Sequence, residues 1–523
     1  MTSISAVNQS QTLALKPAAA LPPAVNDSAV AQSTASPASV VIIGEDTSVQ
    51  VPVYSSRGLL PLGGTALAWE SDATDDVSKA MANNFNSAST FGRFRGLGAA
   101  LLEQLAGNGK GFSQSLIKTS ATPDAAALSA AQSKLHSNAD NSITLTIKTA
   151  SGATVALSLT SQANGLAVSA DVTGGELTDE ELAGLAALAD GFESAVDGFT
   201  GEPPSLDLSK LTQYDATVFS SVDLQAQLKL SDDSVQTLSF HADSSTRSVS
   251  MSGPLGQLKM AVDLKNSAII GNQAQQAKAL QSYLKQFDSA RQRGHGDPQL
   301  MTLFTDTFTA LNSHYPDASR TSTAPQTVNS ISLTDVDHAM LNGLADFTAS
   351  VTQTVQASNP MHPEELDAFA YKVSQSSESK GTSPLNRTLE QHQQSQLTAS
   401  YHQALYPGSS LRMGMDAASQ NYAYYQIEDS ASSSMSMTYD KGKLIEAAVS
   451  KSASQSTRVT KYELGHLIED TLTPQKSSEQ RSFTRLIESA VQEDRMSRVQ
   501  SGRSSLLDAL AAIHDQVMQP ARI

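Results

Sequence analysis

The chain has 523 residues, of which 39% are apolar and 5% aromatic, and its 52 acidic against 35 Lys and Arg side chains give a net charge of −17. Such a length exceeds one hydrophobic core, so several domains are expected, and the charge disfavours sequence-independent binding to phosphate backbones. The absence of cysteine excludes disulfides, thiolate nucleophiles and Cys-ligated metal.

Residues 1–39 are rich in Ser, Ala, Thr, Gln and Pro and have too few large apolar side chains to offset the entropy of ordering, so disorder is expected. MTSISAVNQSQTLALKPAAALPPAV lacks the basic start and apolar core of a cleaved signal peptide. Its first fifteen residues are similar in composition to type III and flagellar export signals. No window approaches the apolar length of a membrane-spanning helix. Order is expected from SVVIIGEDTSVQVPVY, two strands about a turn at Gly44. Asp75 or Asp76 then starts a helix with Val77, Met81 and Phe85 on one face. FGRFRGLG interrupts it, and Leu97, Leu101 and Leu105 resume the stripe up to Gly107-Asn108-Gly109. A shorter helix is expected over about 123–136.

Three strands follow, with Ile143, Leu145 and Ile147, then Val155, Leu157 and Leu159, then Leu166, Val168, Ala170 and Val172 on their buried faces. Ser151-Gly152 and Asn164-Gly165 mark the turns, the second as a dipeptide suited to positive φ. Thr178 and Glu181 form a capping-box pattern ahead of a helix whose stripe is Leu182, Leu185, Ala189, Phe192 and Val196. Laid across the strands, that stripe covers them. Meander followed by helix recurs at 217–293 and 394–517, with helices at about 269–293 and 298–312. In the last block Phe483, Leu486, Leu507 and Leu510 are expected in the core. The Ser/Thr/Gln-rich stretches 316–331 and 374–388 read as linkers or long loops.

The fold class is therefore α+β: antiparallel β-meanders packed against amphipathic helices, multi-domain, behind a disordered N-terminus. The expected divisions are 1–39 disordered, 40–138 short strands plus a helical region, 139–315 an α+β domain of two meander–helix units, 316–335 a linker, and 336–523 a C-terminal α+β domain ending in helices.

Few residues carry chemistry. GNGKGF at 107–112 has Gly111 where a phosphate loop needs Ser or Thr, so it reads as a helix stop. Asp335, Asp337 and His338 lie close together, but the acids are expected to cap a helix starting near Thr334 rather than hold a cation. His295 sits in a turn-like segment with no partner legible in the sequence. No catalytic, cofactor or metal residue is assigned. Tyr422, Tyr424, Tyr425 and Tyr439 form the densest aromatic group and are the candidate interaction surface. Between Asp171 and Asp233 there are 14 acids and 2 bases, a solvated face or a docking site for a basic protein.

ELTDEELAGLAALADGFESAVDGF, PPSLDLSKLTQYD and SSVDL, with the strands before them, resemble an uncharacterised gammaproteobacterial family over about residues 142–225. The resemblance implies a bacterial source and an α+β module, and carries over no functional residue.

Together these features point to a bacterial non-enzymatic binding or structural protein, cytoplasmic or exported without a cleaved leader. It would have no cofactor, no nucleic-acid partner and no membrane span. The alternatives are a cytosolic scaffold or adaptor using the acidic 171–233 block, and a hydrolase-type enzyme whose site is assembled from dispersed residues.

Overall fold

A computed structural model describes residues 65–315 and 333–519, less positions 88, 90, 121, 122 and 231. The expectations for 1–39, for the strands at 40–54 and for most of the 316–335 linker lie outside the described residues. Strand β1 (Thr65–Trp69) leads to helices α1 (Asp76–Asn84) and α2 (Leu97–Asn108), strand β2 (Phe112–Ser120) and helix α3 (Ala125–Ser137). The meander β3 (Asn141–Thr149), β4 (Thr154–Gln162) and β5 (Gly165–Thr173) precedes α4 (Asp179–Thr200). Strands β6 (Phe219–Lys229), β7 (Val235–Asp243), β8 (Thr246–Gly253) and β9 (Gly256–Asp263) precede α5 (Gln273–Gly294) and α6 (Pro298–Leu311). After α7 (Asp335–Met340) come β10 (Asp346–Gln353) and four longer strands, β11 (Ala368–Ser383), β12 (Asn386–Ala404), β13 (Tyr422–Asp440) and β14 (Lys443–Glu463). Edge strand β15 (His466–Ser482) and helices α8 (Thr484–Ser501) and α9 (Leu506–Val517) complete the described chain.

Among the described residues the strands form one 15-stranded sheet in the order β1-β2-β5-β4-β3-β6 and then in sequence to β15. Each neighbouring pair is antiparallel, and β9 pairs directly with β10 across the 316–335 segment. The three meander–helix units thus share a single sheet, with β10 and β11 between the second and the third.

An antiparallel sheet can bury one face and wet the other, which is the purpose of its period-two alternation. The apolar side chains of β3–β10 face α2, α4, α5 and α6 in one continuous core. Its centre is aromatic: Tyr283 and Phe287 of α5 and Phe304 and Phe308 of α6 meet Phe347 and Tyr371 edge to face at 5.0–6.4 Å. A second core joins α7, α8 and α9 to the far ends of β12–β14 through Leu389, Met435, Met437, Val449, Phe483 and Ile513.

Helix α4 carries the expected cap. Thr178 N–H donates to Glu181 Oε2 at 2.8 Å, and Glu181 N–H donates back to Thr178 Oγ1 at 3.2 Å. Ser151 Oγ also donates to Glu181 at 2.7 Å, which ties the β3–β4 turn to the helix start. Thr178→Ala removes one acceptor of this box, and a stability loss of about 1 kcal/mol is expected in urea unfolding. A change in the m-value instead of the midpoint would show that more than a cap was lost.

Several expectations need correction. The Ser-rich 374–388 stretch is no linker: it holds the end of β11, a turn at Pro384-Leu385 and the start of β12. Gln375 and Ser377 lie on the helix-facing side, Ser377 bonded to Asp346 and Gln391, and Ser374 and Ser376 on the wet side, so polar residues on both faces mimic loop composition. Residues 466–482 form β15. Phe483 and Leu510 are buried, but Leu486 and Leu507 are exposed, because α8 and α9 each present only a narrow stripe to the sheet. Gly165 does not take a positive φ, whereas Gly152 does. What Gly165 provides is room: a Cβ there would lie 2.7 Å from Leu135 of α3.

Candidate functional site

The candidate tyrosines are dispersed by the pleat. Tyr422 and Tyr424 share the face of β13 opposite α5, where residues 356–367 fold over the sheet. Tyr422 is fully buried and donates to Glu365 Oε2 at 2.7 Å, and Tyr424 donates to the Leu366 carbonyl at 3.0 Å. Both rings flank His402 of β12, at 5.1 and 4.7 Å between centroids. Tyr425 faces the helices and continues a stack of Tyr401 on His295, with centroid spacings of 4.9 and 3.8 Å. His295, left without a partner by the sequence, ends α5 in a left-handed conformation with φ 53°. Tyr439 is a separate case. Its hydroxyl donates to Asp337 Oδ1 at 2.9 Å, and the Arg387 guanidinium lies 4.0 Å over its ring. Burial comes first among the causes that hold the Tyr422 and Tyr439 hydroxyls protonated well above the usual phenol range, and their carboxylate neighbours add to it.

A histidine with two carboxylates is the constellation an enzyme reading requires. Asp367 Oδ1 lies 2.7 Å from His402 Nδ1, and Glu365 Oε2 lies 3.2 Å from Nε2. Burial opposes a charge on the imidazole, but the hydrogen bonds to Asp367 and Glu365 outweigh it and raise the His402 pKa to about 9. For each carboxylate, burial is the largest effect and favours protonation, but the bonds to His402 and to Tyr422 for Glu365, or to His402 and Ser358 for Asp367, together with the histidine charge, outweigh it and hold the pKa below its ordinary value. The His402 side chain is wholly inaccessible and both ring nitrogens are engaged, so it acts as a bolt for the 356–367 segment. Sealed in this way, it has no free nitrogen to offer a substrate.

The Asp335–His338 group resolves as a cap. Thr334 is the N-cap and Asp337, not Asp335, completes the capping box. GNGKGF is a helix stop, with Gly109 in the left-handed region. Much of the acidic block serves local structure: Glu181 in its box, Glu193 accepting from the Gly96 and Ala99 N–H groups at the start of α2, and Asp207 and Asp232 in turns. Asp190 and Asp197 stay exposed on α4.

Two larger features remain. Between α5, α9 and the sheet is a cleft of about 630 Å³. It lies where the helix-facing residues of β12–β14 turn polar between the two cores, at Gln393, Ser433 and Lys451. Lys451 Nζ donates to the Val517 carbonyl at 2.6 Å, and burial lowers its pKa.

The second feature is the opposite face. Following Cα partners from strand to strand, Ser113 of β2 faces Ser169, then Ser158, Thr144 and Gln225. The row continues through Ser239, Ser250 and Lys259 to Ser350. Lys372, Gln396, Ser430, Ser454 and Lys476 carry it to the far edge. This single transverse row crosses every strand from β2 to β15, with no apolar and no acidic side chain, and none of its members is buried. At ~4.8 Å per strand it runs roughly 60 Å. Among the described residues, α3 covers this face near β2, β4 and β5, and the 356–367 segment covers one end of β12 and β13. Between them lies a trough of about 740 Å³ containing Lys372, Gln396, Ser430, Ser454 and Lys476. Adjacent hydroxyls bond to one another across it, as Ser432 and Ser452 do at 2.8 Å.

No single strand reveals this row, because it exists only once the register is set. The signal available in the sequence was the Ser/Thr/Gln content of the wet positions.

No family model, curated protein or solved structure matches this chain. No helix among the described residues is long and apolar enough to cross a membrane.

Proposed function

We propose that this is a bacterial non-enzymatic binding protein that holds an extended partner against the open face of its sheet. The observation that carries this reading is the unbroken polar row from Ser113 to Lys476. A solvated sheet face needs only to be polar on average. A face kept free of carboxylates along one line, in a chain of net charge −17, is selective. Binding on a face already formed by the sheet requires no reorganisation of the scaffold, which limits the entropy cost of association. The composition of the first fifteen residues, similar to that of type III and flagellar export signals, supports export.

The adaptor reading, through the acidic block, is weaker because so many of its carboxylates are engaged in caps and turns. The hydrolase reading is weaker because His402 is sealed.

The test is incubation of the full chain with the extracellular polymer fraction of bacterial cultures, followed by size-exclusion chromatography. Co-elution with polymer of unchanged length is the expected result. Ser250→Tyr with Ser430→Tyr, which place bulk on the row, should abolish co-elution. Shortening of the polymer would favour the hydrolase, and absence of co-elution would sink the binding reading.

A further inference from the structure

We infer that the partner of the open face is an acidic polysaccharide, an extended glycan carrying carboxylates at intervals, laid across the strands along the row from Lys259 to Lys476. The inference rests on the binding reading above and supplies its ligand class.

The chemistry of the row decides among ligands. Its hydroxyls and amides both donate and accept hydrogen bonds, which matches the hydroxyls that every sugar presents. Its cations are sparse. Lys259 and Lys372 are two strands apart, roughly 10 Å, and Lys372 and Lys476 four strands apart, roughly 19 Å. All three are exposed, and among the described residues none has an ion-pair partner. A neutral glycan would leave these ammonium groups unanswered. A nucleic acid carries a phosphate at every nucleotide and would meet three cations on an acidic protein, too few to release enough counterions. A protein partner would seek aromatic and apolar anchors, whereas Ser and Lys are depleted from protein interfaces and this row has no aromatic member.

The flanking rows sharpen the path. Asp171, Asp223 and His241 stand in the row on one side, and Glu428 stands in the row on the other. From β9 to β15 the first of these rows reads Ala261, Thr348, Ser374, Gln394, Ser432, Ser452 and Ser478 and is also free of acids, so the path is bounded by carboxylates at Glu428 on one side and toward β5 and β6 at its end. A pyranose repeat is close in length to one strand spacing, so successive sugars can meet successive strands along the row.

The probe is polygalacturonate, a polyuronate, titrated onto the full chain at low and moderate salt. Its methyl ester, dextran and duplex DNA serve as comparisons. Polygalacturonate should bind, weaken with salt, and lose at least about tenfold in affinity in the triple variant Lys259→Glu, Lys372→Glu, Lys476→Glu. The methyl ester should bind at least about tenfold more weakly, since it keeps the hydroxyls and loses the charge. An unchanged urea midpoint would confirm that the variant folds. No polygalacturonate binding, equal binding by the triple variant, or equal binding of duplex DNA would each overturn the inference. Dextran binding that the tyrosine variants abolish, without polygalacturonate binding, would overturn the ligand class while leaving the binding reading intact.

Discussion

Replacing Arg387 with methionine should destabilise the protein by about 3–5 kcal/mol, read as a lowered urea midpoint. The guanidinium bonds the Asp337 carboxylate, the two side chains being 5% and 0% exposed. Asp337 also accepts from Thr334 N–H at 2.7 Å, Thr334 Oγ1 at 2.9 Å and the Tyr439 hydroxyl at 2.9 Å. These contacts join α7 to β12 and β13, so the ion pair is a cross-link between a six-residue helix and the sheet. Methionine approximates the arginine stem but leaves Asp337 buried without its counter-charge, and that uncompensated charge is the source of the cost. The double variant Arg387→Met, Asp337→Asn should recover much of the loss, because it removes both charges and keeps the shape. A cost below about 1 kcal/mol for the single variant would mean that water reaches the pair.

His402→Gln should remove the His402 contribution to the pH dependence of stability expected between pH 6.5 and about 9. The imidazole pKa is raised on folding, so its contribution is fully present below its unfolded value near 6.5 and is lost as pH rises through the folded value. The size is about 2 kcal/mol, after discounting for water near Asp367, whose side chain is 23% exposed. The partner carboxylates give the other limit. Their pKa values are lowered on folding, so the same interaction weakens as pH falls through their folded values. Subtracting the unfolding free energies of the two proteins at each pH isolates this group from His241, which is also raised because its bonds to Asp223 and Asp243 outweigh burial. A difference that stays flat from pH 6.5 to 9 would show that His402 is neutral in the folded protein. Wherever Glu365 and Asp367 are ionised, the substituted glutamine would also leave them facing each other without a cation. Loss of protection in residues 356–367 by hydrogen exchange is therefore expected in the same variant.

Neither cluster could be found by local inspection. Asp337 and Arg387 are 50 positions apart, and His402 lies 35 and 37 from its carboxylates. The tyrosine group drew notice because aromatics are scarce here, yet its four members serve three different contacts. Two flank a buried histidine, one extends a stack onto the end of α5, and one covers an arginine. Proximity along a strand separates side chains onto opposite faces, so density in sequence was a poor guide to a shared surface.

Local physics was enough to define the elements. Alternation of Ile, Leu and Val with Ser and Thr fixed β3–β5, the Thr178–Glu181 pair fixed the start of α4, and Gly109 fixed the end of α2, because each depends on contacts within a few residues. The α+β class follows from those elements alone. Local physics failed where composition was ambiguous. In the β11–β12 hairpin, Ser, Gln and Lys on the wet side of long strands look like a linker until a neighbouring strand supplies the hydrogen bonds. Only the tertiary structure decided that the meanders join one sheet, that histidine and carboxylates distant in the chain meet, and that wet positions from β2 to β15 align without a carboxylate. Register is set by pairing between strands, and a shift of one residue would have turned every hydroxyl of a strand to the other face.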